Sequence, residues 1–224
     1  MIKVENIDYW GFEHAIRGMR NPLNSWDKSD SLLCGDIAHP DLIVGQNDLD
    51  LMRRLYKAGP EHRKYLRQIF VSMDIVAPLY WWKEFDTYKV GTVANSCSTM
   101  HKIAAKEFEL SDFSYEHLLD SWDDEKELVE YNLEYGNTAK DVLEFIIDAL
   151  NVFRDLYLET KDKKYWWQLI QLLPSSYNQR RTITMDYENA VTIIKQRTGH
   201  KLDEWREFVE ILSKLPYLDE ICGE

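Results

Sequence analysis

The chain has 224 residues, a formal net charge of −12 and a heavy aromatic load of 8 Trp, 13 Tyr and 8 Phe. That length builds one large domain or two small ones around a substantial core. So acidic a protein has no general attraction for polymeric DNA or RNA or for an anionic membrane surface, which leaves a local basic pocket as its means of meeting one nucleotide phosphate.

In chain order, residues 2–9 are expected to form a short strand and residues 12–20 a short helix that Asn21-Pro22 ends. Residues 21–46, broken by Pro22, Gly35, Pro40 and Gly45, read as a long loop. Asn47 is placed to cap a helix over 48–58, which Gly59-Pro60 stops. In 68–76 Ile69, Val71, Met73 and Ile75 alternate with polar neighbours, the pattern of a strand with one buried face. Pro78 is expected to open an aromatic helix, PLYWWKEF, because proline is tolerated in a first helical turn. Residues 86–100 are polar and without period. The acidic run 120–134 reads as a solvated helical face. The spacing of Val142, Phe145, Ile146, Ala149, Phe153, Leu156 and Tyr157 predicts a helix over 138–159. A further helix over 163–173 ends at Pro174, and a short strand over 181–185 follows. Asp186 caps a helix over 187–197 that Gly199 ends, and a last helix runs over 202–214. With no repeat or linker, the reading is a single domain of α+β class.

Motifs for nucleoside triphosphate, dinucleotide, zinc-protease or serine-hydrolase chemistry are absent from the sequence. The six histidines fall at no metal-ligand spacing, so no metal site is expected. Cys34, Cys97 and Cys222 form no CxxC pair, which fits a reducing, cytoplasmic setting. Cys97, between Ser96 and Ser98, is either a nucleophile without a visible activating base or a small structural residue. Glu5 and Asp8 stand where a signal peptide would be apolar, and no run approaches the ~18 apolar residues of a membrane span. Two basic groupings remain. Arg17 and Arg20 share a helix face, and Arg180, Arg181 and Arg197 surround the strand-to-helix unit near the C-terminus. A guanidinium fork suits phosphate, and it equally suits ion pairing with the many Asp and Glu residues.

Three blocks in order resemble the flavin-dependent thymidylate synthase (thymidylate synthase-complementing protein) family. They are HAIRGMRNPLNS (14–25), DLDLMRRLYKAG followed by IFVSMDIVAPLYWWKEF, and LLPSSYNQRRTITMDYENAVTIIKQRTGHKLDEW (172–205). The resemblance implies an antiparallel sheet with long helices, bound FAD, and methylation of deoxyuridine monophosphate fed by a nicotinamide cofactor and methylene-tetrahydrofolate. It also implies a homotetramer with sites between subunits, in which Tyr80, Trp81 and Trp82 serve core or interface.

Laid on the family's signature R-H-R-x-x-S-x-N-E-x-S-x-R, the chain departs from it. Thr87-Tyr88-Lys89 stands for Arg-His-Arg, Thr92 for the first Ser, Ala94-Asn95 for Asn-Glu, Cys97 for the second Ser and Thr99 for the last Arg. Charge-assisted hydrogen bonds to phosphate contribute about 1.5–3 kcal/mol each, so losing two or three removes decades of affinity. The resemblance assigns Arg197, Arg180, Thr92, Lys89, Arg17 and Arg20 to a nucleotide, and Tyr88, Lys89 and Asp186 to the cofactor. The expectation is a nucleotide-binding protein of this family's kind with an eroded flavin signature. The alternatives are an active FAD-dependent thymidylate synthase and a non-catalytic protein that sequesters a nucleotide or serves interactions.

Overall fold

A computed structural model describes residues 2–35, 40–121 and 138–223. The expected acidic face at 120–134 lies almost wholly outside them. The strands are β1 (Lys3–Trp10), β2 (Leu32–Gly35), β3 (Pro40–Ile43), β4 (Phe70–Pro78), β5 (Thr92–Ser96) and β6 (Asn178–Asp186). The helices are α1 (Phe12–Arg20), α2 (Gln46–Lys57), α3 (Leu79–Phe85), α4 (Thr99–Lys102), α5 (Ala139–Thr160), α6 (Lys163–Leu172), α7 (Tyr187–Arg197), α8 (Asp203–Ser213) and α9 (Leu218–Cys222). Strands β1-β4-β6-β5 form one sheet in that order, and β2 pairs antiparallel with β3 in a second. Ser72 meets Thr184 and Asp74 meets Thr182, so β4 and β6 run antiparallel. The Asp186 N–H donates to the Gly91 carbonyl and the Cys97 N–H to the Arg180 carbonyl, which sets β5 antiparallel to β6. The α+β class with an antiparallel sheet is therefore present as expected.

The chain divides into two compact units. One comprises Ile2–Ile75, Phe85–Asn95 and Thr182–Glu224. Here Val71, Met73 and Ile75 of β4 are buried, as their alternation predicts. Phe12, Ala15, Ile16 and Met19 of α1, Tyr187, Ala190, Val191 and Ile193 of α7, and Trp205, Phe208 and Leu212 of α8 are buried in the same unit. The Phe12 ring meets Tyr187 edge-on at 5.5 Å, and Phe85 stacks on Trp205 at 6.4 Å. Gly11, at φ 98°, turns β1 into α1 where a Cβ would strike the Gln68 carbonyl, so the turn requires glycine.

The other unit comprises Val76–Glu84 and Ser96–Arg181. Its core gathers Ile103, Phe108, Phe113, Leu143, Ile147, Leu150 and Leu169. Asn151 of α5 bonds both the N–H and the carbonyl of Phe108, at 2.8 and 2.9 Å, and so satisfies a buried loop backbone. Trp81 and Trp82 are fully buried, and the Trp82 indole donates to the Gln179 carbonyl at 2.9 Å, which places both in a core.

Several local expectations are corrected. Residues 21–46 hold the β2–β3 hairpin and two 3-10 turns, Asn21–Leu23 and Trp26–Lys28, rather than an unbroken loop. Asn47 lies inside α2 and does not cap it. Its N–H and that of Asp48 are instead taken by the Asp30 carboxylate at 3.0 and 3.2 Å, a cap supplied from seventeen residues away that local sequence rules do not see. Pro78 closes β4 rather than opening α3, and the Leu79 and Tyr80 N–H groups are taken by the Tyr177 and Ser175 carbonyls. The stretch 86–100 contains the edge strand β5 and a turn of helix capped by Ser98. On α5 the buried face is Leu143, Ile147 and Leu150, while Val142 and Phe145, expected to be buried, are exposed.

Candidate functional site

The signature segment 88–92 is packed against the two ends of α7. At the start of that helix, Asp186 is the N-cap and its carboxylate accepts the Asn189 N–H at 2.8 Å. The Asn189 amide donates to the Val90 carbonyl and to the Thr92 hydroxyl, the latter at 3.2 Å. Gly91, at φ 75°, makes this approach possible: a Cβ there would lie 2.5 Å from the Asp186 carboxylate and 2.8 Å from the Asn189 amide. Burial pushes the Asp186 pKa above the ordinary carboxylate value, and the hydrogen bond from Asn189 only partly opposes it.

At the other end of α7, the Arg197 guanidinium stacks over Trp205 at 4.4 Å and over Tyr88 at 5.6 Å. Its Nε donates to the Tyr88 hydroxyl at 2.9 Å, and Tyr88 donates to Gln196 at 3.0 Å. One terminal nitrogen lies 3.1 Å from His200 Nε2. The structure thus sets Thr92 near the Asp186 end of α7 and Tyr88 at the Arg197 end. Arg197 is held in a fixed orientation with its side chain half-buried, and the Tyr88 ring is buried.

The other sequence-predicted residues lie elsewhere. Lys89 is exposed on the same segment. Arg17 is exposed on α1, 3.2 Å from His14. Arg20 is buried and paired with Asp48 at 2.6 Å, while its NH1 donates to the Ser25 carbonyl at 3.0 Å, so ion pairing describes its observed contacts. Arg180 is exposed and belongs to the other unit, where its carbonyl accepts from Cys97. Cys97 is exposed, and the Gln179 amide donates to its carbonyl at 2.8 Å. Asp48, Asn189 and Gln196 escaped sequence reasoning, although the Asp186–Asn189 spacing is that of a cap and its third residue. Among the described residues no group of His, Cys, Asp or Glu is arranged to hold a metal ion, and no helix is long and apolar enough to cross a membrane.

No family model matches the chain, and no curated protein matches it in sequence. Solved structures do. Thymidylate Synthase X (ThyX) from Helicobacter pylori, with FAD and dUMP, aligns over 98% of this chain and 96% of its own with a TM-score of 0.65 at 18% identity. The fold is that of the flavin-dependent thymidylate synthases. A second ThyX complex from Helicobacter pylori with FAD and dUMP gives the same TM-score and identity over 97% and 96%. A UMP/dUMP methylase, PolB from Streptomyces cacaoi, bound with 5-Br UMP, aligns at TM-score 0.59 and 13% identity over 95% and 87%. In this fold the 87–99 segment runs before and along β5.

Proposed function

We propose that this chain is a flavin-dependent thymidylate synthase-like protein that binds a pyrimidine nucleotide of the deoxyuridine monophosphate kind. One observation carries the reading: the fold aligns almost end to end with proteins bound to dUMP or to 5-Br UMP. The whole chain, residues 1–224, is read as one such domain, supported by alignments over 95–98% of it. Arg197 is the guanidinium for the nucleotide phosphate, because stacking on Trp205 and the bond to Tyr88 fix its fork before any ligand arrives. Thr92 and Lys89, on the segment packed against the same helix, are secondary candidates for this ligand, whereas Arg17 and Arg20 line other recesses and Arg180 belongs to the other unit.

FAD fits the residues here poorly. A flavin diphosphate asks for several donors, and the Thr87-Tyr88-Lys89 segment offers one ammonium and one small hydroxyl on exposed residues, since the Tyr88 hydroxyl is engaged by Gln196 and Arg197. Asp186, the other cofactor candidate, is a carboxylate committed to capping α7. No step is therefore routed through flavin, and methylation of the nucleotide is not part of this reading. Assembly into a homotetramer is part of it, and is supported by Val142, Phe145 and Val152, which α5 leaves exposed.

The test combines colour and binding. Purified protein is expected to lack flavin absorbance and to take up no added FAD, while dUMP or UMP raises its unfolding temperature. Arg197→Ala should remove that rise and Arg197→Lys should restore part of it. No shift with any pyrimidine nucleotide overturns the reading. A yellow protein that forms thymidylate from dUMP replaces it with the active-enzyme alternative.

A further inference from the structure

Within the unit that holds α1 and α2, a cavity of about 600 Å³ is lined by Arg20, Lys28, Arg53, Arg54 and Lys57, with Asp50 as the carboxylate facing them. This is an unusual gathering in a chain of net charge −12. Asp48 answers Arg20, and Asp50 answers Arg53 at 3.1 Å. Among the described residues Lys28, Arg54 and Lys57 are then the local surplus, exposed and on two different elements, the Trp26–Lys28 turn and α2. Two of the guanidiniums are held in place. Arg53 Nε donates to the Glu220 carbonyl at 2.6 Å and Arg54 Nε to the Asp50 carbonyl at 3.3 Å.

A second recess of about 270 Å³ shares Arg20 as a wall and is lined by Ile16, Arg17, Glu13 and Trp26. Trp26 is 52% exposed, yet its indole N–H is anchored on the Asn21 side chain at 2.8 Å, so one large aromatic face is presented to solvent in a fixed orientation. An aromatic platform beside a basic cavity is the arrangement that holds a base and its phosphates. Three surplus cations match a chain of phosphates better than a single one.

We propose that this α2 cavity binds a nucleoside di- or triphosphate, with the phosphates among Lys28, Arg54 and Lys57 and the base against Trp26. The site is separate from the α7 site and does not rest on the reading given for it. Isothermal titration of the full chain with ATP, UTP and inorganic tripolyphosphate tests it. Both nucleotides should bind, about tenfold or more tighter than tripolyphosphate. The double variant Lys28→Glu/Lys57→Glu should lose all three ligands, and Trp26→Ala should bring the nucleotides down to the level of tripolyphosphate while leaving tripolyphosphate unchanged. Because Lys28 and Lys57 are exposed, the double variant should unfold at the wild-type denaturant midpoint, and the simpler double variant Lys28→Gln/Lys57→Gln serves if it does not. Saturating dUMP should leave triphosphate binding in place. The proposal is overturned if wild type binds none of the three, if charge removal at Lys28 and Lys57 leaves binding intact, if Trp26→Ala has no effect on the nucleotides, or if dUMP displaces them.

Discussion

Asp48 is the residue whose removal should cost the fold most for its size. Its side chain is 0% exposed and that of Arg20 is 4% exposed. Five donors converge on the one carboxylate: Arg20 Nε at 2.6 Å, the hydroxyls of Ser29 and Ser31 at 2.7 Å each, and the backbone N–H groups of Asp30 and Ser31 at 3.2 and 3.1 Å. Asp48→Ala strands a buried guanidinium and four further donors. Breaking a buried pair from one side costs about 3–5 kcal/mol, a large part of a typical total of ~5–15 kcal/mol. Arg20→Ala is the milder change, because the carboxylate keeps its other four donors. The loss is then one charge-assisted bond, about 1.5–3 kcal/mol, together with the weaker NH1 bond to the Ser25 carbonyl. Urea unfolding of both variants measures the asymmetry, and a constant m-value shows that the same surface is exposed in each. An Arg20→Ala loss equal to or larger than that of Asp48→Ala refutes the argument. The pH dependence is a second check. Burial pushes the Asp48 pKa up, but the hydrogen bonds from Ser31, Ser29 and Arg20, with the charge of Arg20, more than offset it and hold the value below the ordinary one. A depressed folded pKa contributes stability above the unfolded value of ~3.9, lost as pH falls through the folded value. The deficit of Asp48→Asn should accordingly be full at neutral pH and shrink as the medium is acidified below about pH 4.

Gly91→Ala should destabilise the chain by about 1–3 kcal/mol, since it places a Cβ against Asp186 at a left-handed φ; amide exchange should show the 88–92 segment opening first. Asp186→Asn keeps a good N-cap and removes a carboxylate whose raised pKa penalises the folded state as pH rises through the unfolded value. It should match or exceed wild type at pH 7, whereas Asp186→Ala loses about 0.5–2 kcal/mol in the same thermal melts. Phe145, 74% exposed on α5, should bear on assembly rather than folding: Phe145→Glu lowers the mass seen by light scattering if that face joins subunits, and an unchanged mass removes the face from the interface.

The elements with a strong period were legible in the sequence, and those set by distant partners were not. The alternation in β4 came through because that strand buries its own periodic face, the extent of α5 came through although the face it buries is Leu143, Ile147 and Leu150, and the start of α7 came through from its Asp186 cap. The start of α2 was misplaced because its cap, Asp30, reaches across from the preceding turn. β5 was missed because it is an edge strand with mostly exposed side chains, so burial imposes no pattern on it. The two readings of the arginines were both left open by the sequence, and the structure shows a buried ion pair at Arg20. Arg197 stacks on Trp205 and bonds the Tyr88 hydroxyl, which fixes its orientation.

Tyr88 does more than fail to supply an imidazole. Its buried ring lies 6.0 Å from Trp205, and its hydroxyl bridges Gln196 and Arg197. Freeing it for a cofactor would cost the burial of an aromatic side chain, about 1.5–3 kcal/mol, and would loosen Arg197 as well. Thr92 is similarly engaged by Asn189, within a turn that Gly91 alone permits. Tyr88 and Thr92 thus both act as supports for α7, the helix that carries the guanidinium proposed for the nucleotide. Tyr88→Phe discriminates between the two roles. It keeps the ring and removes the hydroxyl, so a supporting role predicts weaker dUMP binding with little loss of stability, and a cofactor role predicts a change in FAD uptake alone.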